Sequence, residues 1–317
     1  MDLSIVIPVY NEEESIQELT EWIVKVCTIR RYSYEIIFID DGSSDSSWDR
    51  IILMAGKFKY VKGCRFRRNY GKAAALHTGF GEASGNVVIT MDSDLQDSPD
   101  EIPDLYRMII TDGYDLVSGW KKKRYDPFVK RITSKFYNGT ARWSSGIKLH
   151  DFNCGLKAYR LEVVKSIEVF GEMHRYIPML AKEAGFRKVG EKIVEHRSRK
   201  YGVTKYGLDR FIKGYLDLLT VGFITRFGKN PMHLFGSMGT IMFIIGFIMA
   251  GYLGIRKLVF TSHHLRAPLV TNSPFFFIAL TVMIIGSILF LTGFLGELVN
   301  RNSPERNSYL IKDKVNL

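Results

Sequence analysis

The sequence predicts an α/β domain built on a mainly parallel, Rossmann-like sheet, followed by amphipathic interface helices and two transmembrane helices. Three observations carry this reading. Short apolar runs alternate with segments of helical period through residues 1–118. The acids Asp40, Asp41, Asp92 and Asp94 fall where those runs end. Two stretches, the 24 residues Met232 to Ile255 and the 22 residues Phe275 to Gly296, lack Asp, Glu, Lys and Arg. Each exceeds the roughly 20 residues needed to cross a bilayer.

The elements follow in order. "LSIVIPVYN" reads as a buried strand, with Asn11 capping the next helix and Glu12, Glu13 and Glu14 suiting its positive end. Ile16, Leu19, Ile23 and Val26 repeat at helical spacing. "YEIIFIDDGSSD" is a second strand ending in acids and a turn, with a helix from about Ser46 and a strand near Tyr60–Arg65. "GKAAALHTGFGEA" is a helix, "NVVITMD" a strand, another helix starts after Pro99, and "YDLVSGW" closes the series. Doubly wound sheets bind ligands at the carboxyl ends of their strands, where these acids sit. "GFGEASG" has the wrong spacing for a dinucleotide fingerprint and lies late in a helix, which excludes that class.

Beyond Gly119 the character changes. Residues 1–118 hold 12 Lys/Arg and 20 Asp/Glu, a net of −8, so the remainder of the +11 chain carries +19. "WKKKRYDPFVKRITSKFYN" places Phe128, Ile132 and Phe136 on one helical face. Residues 207–224 do the same with Leu208, Phe211, Ile212, Tyr215, Leu218 and Leu219. Both suit helices lying on a membrane surface, with packing against the sheet as the alternative. The basic residues adjoin the spans, which favours a membrane over a nucleic-acid partner.

Arg226, Lys229, Arg301, Arg306, Lys312 and Lys314 flank the outer ends of the spans, against Arg256, Lys257 and Arg266 in the connecting loop. This bias favours a cytoplasmic globular domain. Cys27, Cys64 and Cys154 form neither a disulfide framework nor a zinc pattern, so a reducing compartment is expected. The chain opens directly on a strand-like run, and no signal peptide is expected. His77, His150, His174 and His196 have no metal spacing and read as surface or core histidines.

"ITMDSDLQDSP" poses the chemical question, because Asp92, Asp94 and Asp97 crowd a strand end. Like charges there need a cation. The choices are a polar turn capping the next helix or a site for a divalent ion.

Six motifs bear on it: "IVIPVYNEE", "IDDGSSD", "NYGKAAALHTG", "MDSDLQDSP", "HDFNCGLKAYR" and "RKYGVTKYG", in that order. Together they resemble family 2 glycosyltransferases of the GT-A fold, specifically polyprenyl-phosphate glycosyltransferases similar to dolichyl-phosphate mannose synthases and bacterial undecaprenyl-phosphate glucosyltransferases. The resemblance spans nearly the whole chain. It implies inverting, metal-dependent transfer of one hexose from a nucleotide sugar, of UDP-glucose or GDP-mannose type, to undecaprenyl or dolichyl phosphate. A processive polysaccharide synthase and a non-enzymatic nucleotide- or membrane-binding module are the alternatives. The former carries Q-x-x-R-W and more spans, whereas "GTARW" puts Gly139 at the glutamine position.

The resemblance also assigns roles. Asp92 and Asp94 hold Mg²⁺ or Mn²⁺, with Asp94 the firmer ligand and Gln96 in support. Pro8, Tyr10, Asn11, Glu12, Asp41 and Lys72 surround the donor nucleotide. Asp151, Asp94, Arg199 and Lys205 form the catalytic set, and Thr204, Arg131 and Ser134 serve the acceptor phosphate. Asp151 is preferred as an organiser over an obligatory base, since a phosphate monoester with its second pKa near about 6 is mostly dianionic at neutral pH. Asp97 is read as a helix cap, and Asp45 is divided between capping and nucleotide binding. The expected organisation is a catalytic domain over 1–206, an interface helix over 207–230, two spans over 231–299 and a cytoplasmic tail over 300–317. The protein is expected in the inner membrane as a multi-pass enzyme; the resemblance allows a homo-oligomer such as a tetramer, and the sequence does not choose the oligomeric state.

Overall fold

The computed structural model describes residues 1–122, 139, 142, 146–171, 173–197, 200, 231–263, 269–301 and 311–316. Two compact units emerge: Met1–Gly222 with Arg306–Leu317, and Phe223–Glu305.

The first unit is an eight-stranded mixed sheet. Its strands are β1 (Leu3–Val9), β2 (Tyr34–Asp40), β3 (Val61–Phe66), β4 (Val87–Thr90), β5 (Leu116–Trp120), β6 (Lys157–Arg160), β7 (Val189–Ile193) and β8 (Ile311–Val315). They are arranged β7-β5-β6-β4-β1-β2-β3-β8. β4, β1, β2 and β3 are parallel, as the alternation of strands and helices predicts. All seven residues of β2 are buried, which is why "YEIIFID" reads as a continuous apolar run. Glu35, with Asp40 one of two acids in the run, is buried with its carboxylate accepting from Ser4 Oγ (2.5 Å) and the Ser84 N–H (2.8 Å), and Lys62 lies 2.9 Å away.

Helices cover both faces: α1 (Ile16–Ile29), α2 (Ser47–Lys57), α3 (Lys72–Glu82), α4 (Ile102–Ile110), α5 (Leu161–Ser166) and α6 (Ile177–Glu183). The apolar stripe of α1 buries Ile16, Leu19, Ile23 and Val26, the positions its periodicity selected. α3 buries Ala73, Ala74 and Ala75, small side chains that let it lie close to β1 and β2. Its first residue, Lys72, thereby comes to the carboxyl ends of the strands.

Three features depart from the sequence expectation. β6 enters antiparallel between β4 and β5, so β5 does not extend the parallel set directly. The expected tail contains β8, which pairs antiparallel with β3, matching Lys314 to Cys64. A sheet edge exposes unpaired backbone groups, and β8 satisfies them. Asn11 does not cap α1, which begins five residues later at Ile16. It adopts a left-handed backbone (φ 53°) and turns towards β2 instead.

The second unit is a hairpin of α7 (Pro231–Ser262) and α8 (Pro274–Arg301). Both contain segments long and apolar enough to cross a membrane, Met232–Ser262 and Pro274–Gly296, with mean hydropathies of 2.0 and 2.5. Arg256 and Lys257, expected in the connecting loop, lie in the last turns of α7. The helices pack tightly through glycine. A β-carbon on Gly239 would lie 2.5 Å from the Gly286 carbonyl oxygen, and one on Gly286 would lie 2.7 Å from the Gly239 oxygen. Large apolar side chains such as Phe247, Ile248, Ile288 and Leu291 face outward and are exposed. The expected interface helices, over 128–136 and 207–230, lie outside the described residues.

Candidate active site

The loops after β1 and β2 are stitched to each other. Asn11 Oδ1 accepts from the Ser44 N–H (2.8 Å), while the Asn11 N–H donates to Ser43 Oγ (2.9 Å). The Glu12 N–H donates to Ser47 Oγ (2.9 Å), and Glu13 Oε2 accepts from the Ser46 N–H (2.8 Å). Asp45 accepts from the Ser47 N–H (3.0 Å) at the start of α2 and from the Glu13 N–H (3.3 Å). Of the acids expected at the start of α1, Glu13 therefore serves the neighbouring loop. Pro8 lies within β1 beside Ile39, and Tyr10, just past the end of β1, is 39% exposed.

Asp40 and Asp41 are buried at the end of β2. Asp40 accepts from the Ser43 N–H (2.9 Å) and pairs with Arg65 Nε (3.2 Å). Asp41 accepts from the Tyr70 N–H (2.7 Å) and the Gly71 N–H (2.9 Å). Burial pushes its carboxyl up to about 6, against the pull of those two hydrogen bonds. Its carboxylate thus fixes the residues immediately ahead of Lys72.

Lys72 carries the connection to the acidic loop, where its ammonium pairs with Asp92. Burial disfavours ionisation of Asp92, but Lys72, Lys121 and Lys157 outweigh it and hold the carboxyl well below the usual range. Asp94 and Asp97 also act on Lys72. Asp94 Oδ1 accepts from the Gln96 N–H (3.2 Å), so Gln96 supports this turn through its main chain. Gly155 also packs against this carboxylate: a β-carbon there would lie 2.5 Å from Asp92 Oδ2.

Asp97 is not a helix cap, as its sequence position suggested. It is fully buried, and Lys121 Nζ pairs with its Oδ1 at 2.7 Å. A carboxylate at 0% exposure needs a full cationic partner, which a helix end would only partly supply. The structure also brings in Lys157, which donates to the Cys154 carbonyl and whose pKa is lowered by burial and then by Lys72. His174, whose pKa burial lowers well below the usual imidazole value, lines the same small cavity as Lys72 and Lys157. Sequence reasoning missed Lys121, Lys157 and His174. Lys157 stood inside a quoted motif, and Lys121 was hidden in a basic run.

Asp151 is buried, its Oδ1 accepts from the Asn153 N–H (3.0 Å), and its charge acts on Lys157. The tertiary structure thus gathers Asp92, Asp94, Lys72, Lys157 and Asp151 from three separate motifs. Arg131, Ser134, Arg199, Thr204 and Lys205 lie outside the described residues. Near Arg199, the Arg197 guanidinium stacks on Trp22 (4.4 Å), and the Arg197 N–H donates to the Gln96 carbonyl (3.0 Å). Lys200 pairs with Glu18 (2.7 Å).

Among the described residues no group of three or more His, Cys, Asp or Glu side chains forms a metal cage. The donor set still fits a hard divalent ion, because Mg²⁺ is commonly held by one or two carboxylates, with substrate phosphates completing the shell. Asp92 and Asp94 are both partly accessible at the strand end.

Comparison with known proteins places this arrangement. A dodecaprenyl-phosphate galacturonate synthase of Rhizobium johnstonii is 33% identical over 308 residues, 95% of this chain and 88% of that protein. An undecaprenyl-phosphate 4-deoxy-4-formamido-L-arabinose transferase of Proteus mirabilis is 34% identical over 302 residues, 94% and 88% of the two chains. The Mycobacterium tuberculosis glucosyl-3-phosphoglycerate synthase, crystallised with UDP, shares the GT-A-like fold at a TM-score of 0.55 and 19% identity, covering 71% of this chain and 79% of that one. Its complex with Mn²⁺, UDP-glucose and phosphoglyceric acid aligns at 0.53 with the same identity and coverage. Residues 4–168, more than half of the sequence, match the glycosyl transferase family 2 domain, and the chain belongs to that family of glycosyltransferases.

Proposed function

We propose that this glycosyltransferase moves a single hexose from a nucleotide sugar to a membrane polyprenyl phosphate, with inversion at the anomeric carbon and dependence on Mg²⁺ or Mn²⁺. One observation carries the reading: the same chain joins an acidic, lysine-lined strand end, suited to a sugar diphosphate, to two helices apolar enough to meet a lipid acceptor. The two relatives named above are polyprenyl-phosphate enzymes, and each aligns over at least 94% of this chain.

In the proposed reaction a lipid-phosphate oxygen attacks the anomeric carbon. The bond to the nucleotide diphosphate breaks, and its electron pair leaves with the diphosphate. One displacement from the opposite face inverts the centre. The dianionic acceptor needs little proton removal, so Asp151 acts as an organiser of acceptor and donor. Asp92 and Asp94 would hold the divalent ion, which supplies positive charge to the leaving diphosphate. Pro8, Tyr10, Asn11, Glu12 and Asp41 frame the nucleotide. Arg199, Thr204 and Lys205, with Arg131 and Ser134, are assigned to the phosphates on sequence grounds.

An even number of crossings returns a chain to the side it left. This agrees with Met1–Gly222 and Arg306–Leu317 belonging to one unit. The basic flanks of the spans favour the cytoplasmic side for that unit.

The test uses the full chain in lipid nanodiscs with undecaprenyl phosphate and a panel of UDP- and GDP-hexoses, a uronate and a formamido-pentose. One donor should yield a glycosylated lipid phosphate, and EDTA should abolish the transfer. Asp94→Asn should cost on the order of 10²–10⁴ in rate. Full activity in EDTA removes the metal from the reading. Equal use of a water-soluble phosphate monoester removes the lipid.

A further inference from the structure

Asp151 stands in a stretch, 146–156, that belongs to no helix or strand. A reacting carboxylate must be held to within about half an ångström, and loops do not provide that by themselves. The residues that hold this one stand on β5 and β7, 33 residues before it and 40 after it.

These strands pair in parallel, with Ser118 opposite Glu191 and Trp120 opposite Ile193. Ser118 Oγ donates to the Asp151 carbonyl (3.2 Å), and Glu191 Oε1 accepts from the Asp151 N–H (3.1 Å). Two register partners on adjacent strands therefore grip both polar sides of the Asp151 main chain. Glu191 Oε1 also accepts from the His150 N–H (2.7 Å), and its Oε2 meets His150 Nδ1 at 2.7 Å. The His150 ring in turn stacks on Trp120, with centroids 4.1 Å apart and planes 12° from parallel. The Glu191 side chain is only 12% exposed. An ordinary surface ion pair would involve neither that burial nor two backbone amides on one oxygen.

We propose that Glu191 is the positioning residue of this transferase: it sets the placement of Asp151 through the 150–151 backbone, with Ser118, His150 and Trp120 completing the clamp. The inference rests on Asp151 acting at the reaction centre. It assigns Glu191 no contact with either substrate.

What matters in this arrangement is the position of Oε1 more than the charge. Glu191→Gln keeps the arm length and an oxygen for both amides. Glu191→Asp keeps the charge and withdraws the oxygen by one methylene. The experiment measures single-turnover transfer and donor KM for these variants, Glu191→Ala, Asp151→Asn and the double variant Glu191→Ala/Asp151→Asn, all as full chains in nanodiscs. Misplacement by about 1 Å can cost on the order of 10²-fold in rate. Glu191→Ala and Glu191→Asp should lose about that much with donor KM within about threefold of wild type, and Glu191→Gln should retain most of the rate. Adding Glu191→Ala to Asp151→Asn should cost little more.

Equal losses in Glu191→Gln and Glu191→Asp would overturn the inference, as would losses that multiply in the double variant while Asp151→Asn is itself impaired. A large rise in donor KM would overturn it too. If Asp151→Asn transfers at the wild-type rate, the role of Asp151 falls first and the inference falls with it. Thermal melting of each variant keeps a folding defect from being read as a catalytic one.

Discussion

Gly155→Ala should disable the site while leaving the fold in place. The added β-carbon would lie 2.5 Å from Asp92 Oδ2, 2.6 Å from its Oδ1 and 2.5 Å from its Cγ. Ordinary van der Waals contact begins at 3.4 Å, so the carboxylate or the Gly155 backbone must yield by about 0.9 Å. Asp92 has little room to retreat, because Lys72 holds it from the other side. The Gly155 backbone is tethered as well, its carbonyl accepting from Thr90 Oγ1 (2.8 Å). The displacement therefore falls on Asp92, a group proposed to hold the divalent ion. Misplacement of that order costs on the order of 10²-fold in rate, or about 2.7 kcal/mol of transition-state stabilisation. The assay pairs single-turnover transfer with Mn²⁺ binding, followed by electron paramagnetic resonance in the presence of UDP. Both should weaken while the far-ultraviolet circular dichroism stays unchanged. Wild-type Mn²⁺ affinity and rate in Gly155→Ala would refute the assignment of Asp92 to the metal and the tightness of this contact together.

Two further outcomes follow from the buried charges. Asp97→Ala strands the Lys121 ammonium without its 2.7 Å partner and should cost about 3–5 kcal/mol, a fall in Tm on the order of 10 °C; Asp97→Ala combined with Lys121→Met should recover much of it, and an unchanged melting point in the single variant would refute the pairing. Asp41 takes up a proton more readily in the folded state, near about 6, than in the unfolded chain, near 3.8. Its contribution to stability therefore falls as pH rises from about 4 to about 6, by on the order of 3 kcal/mol. Melting curves across that window should show the slope in wild type and lose it in Asp41→Asn, whereas parallel curves would contradict the raised pKa.

Much of this molecule is legible in one dimension because its signals are local. A strand buried on both faces reads as a near-continuous apolar run, and "YEIIFID" does, its two acids Glu35 and Asp40 each paired. An amphipathic helix must repeat its apolar residues at 3.6, and Ile16, Leu19, Ile23 and Val26 do. Charge-free runs of more than 20 residues identify α7 and α8 by composition alone. Acids at strand ends mark the candidate site, since the ends of parallel strands converge whatever the rest of the chain does.

The remainder depends on partners distant in sequence. β6 is four residues long, and nothing in "KAYR" announces that it runs antiparallel between β4 and β5. β8 becomes a strand because β3 offers an open edge, which its own composition does not reveal. Asn11 followed by three glutamates has the form of a helix cap, yet the serines after β2 offer Asn11 and Glu13 partners 33 residues away through the close approach of two loops. Lys121, Lys157 and Glu191 look like solvated charges in the sequence. Their significance comes from burial, which makes an unpaired charge costly and so commits each to particular partners: Lys121 to Asp97, Lys157 to the Cys154 carbonyl, and Glu191 to His150 and the main chain that carries Asp151. Local periodicity determined which residues form the layers and where the acids lie. Only tertiary packing, by removing water from those charges, decided which of them hold one another.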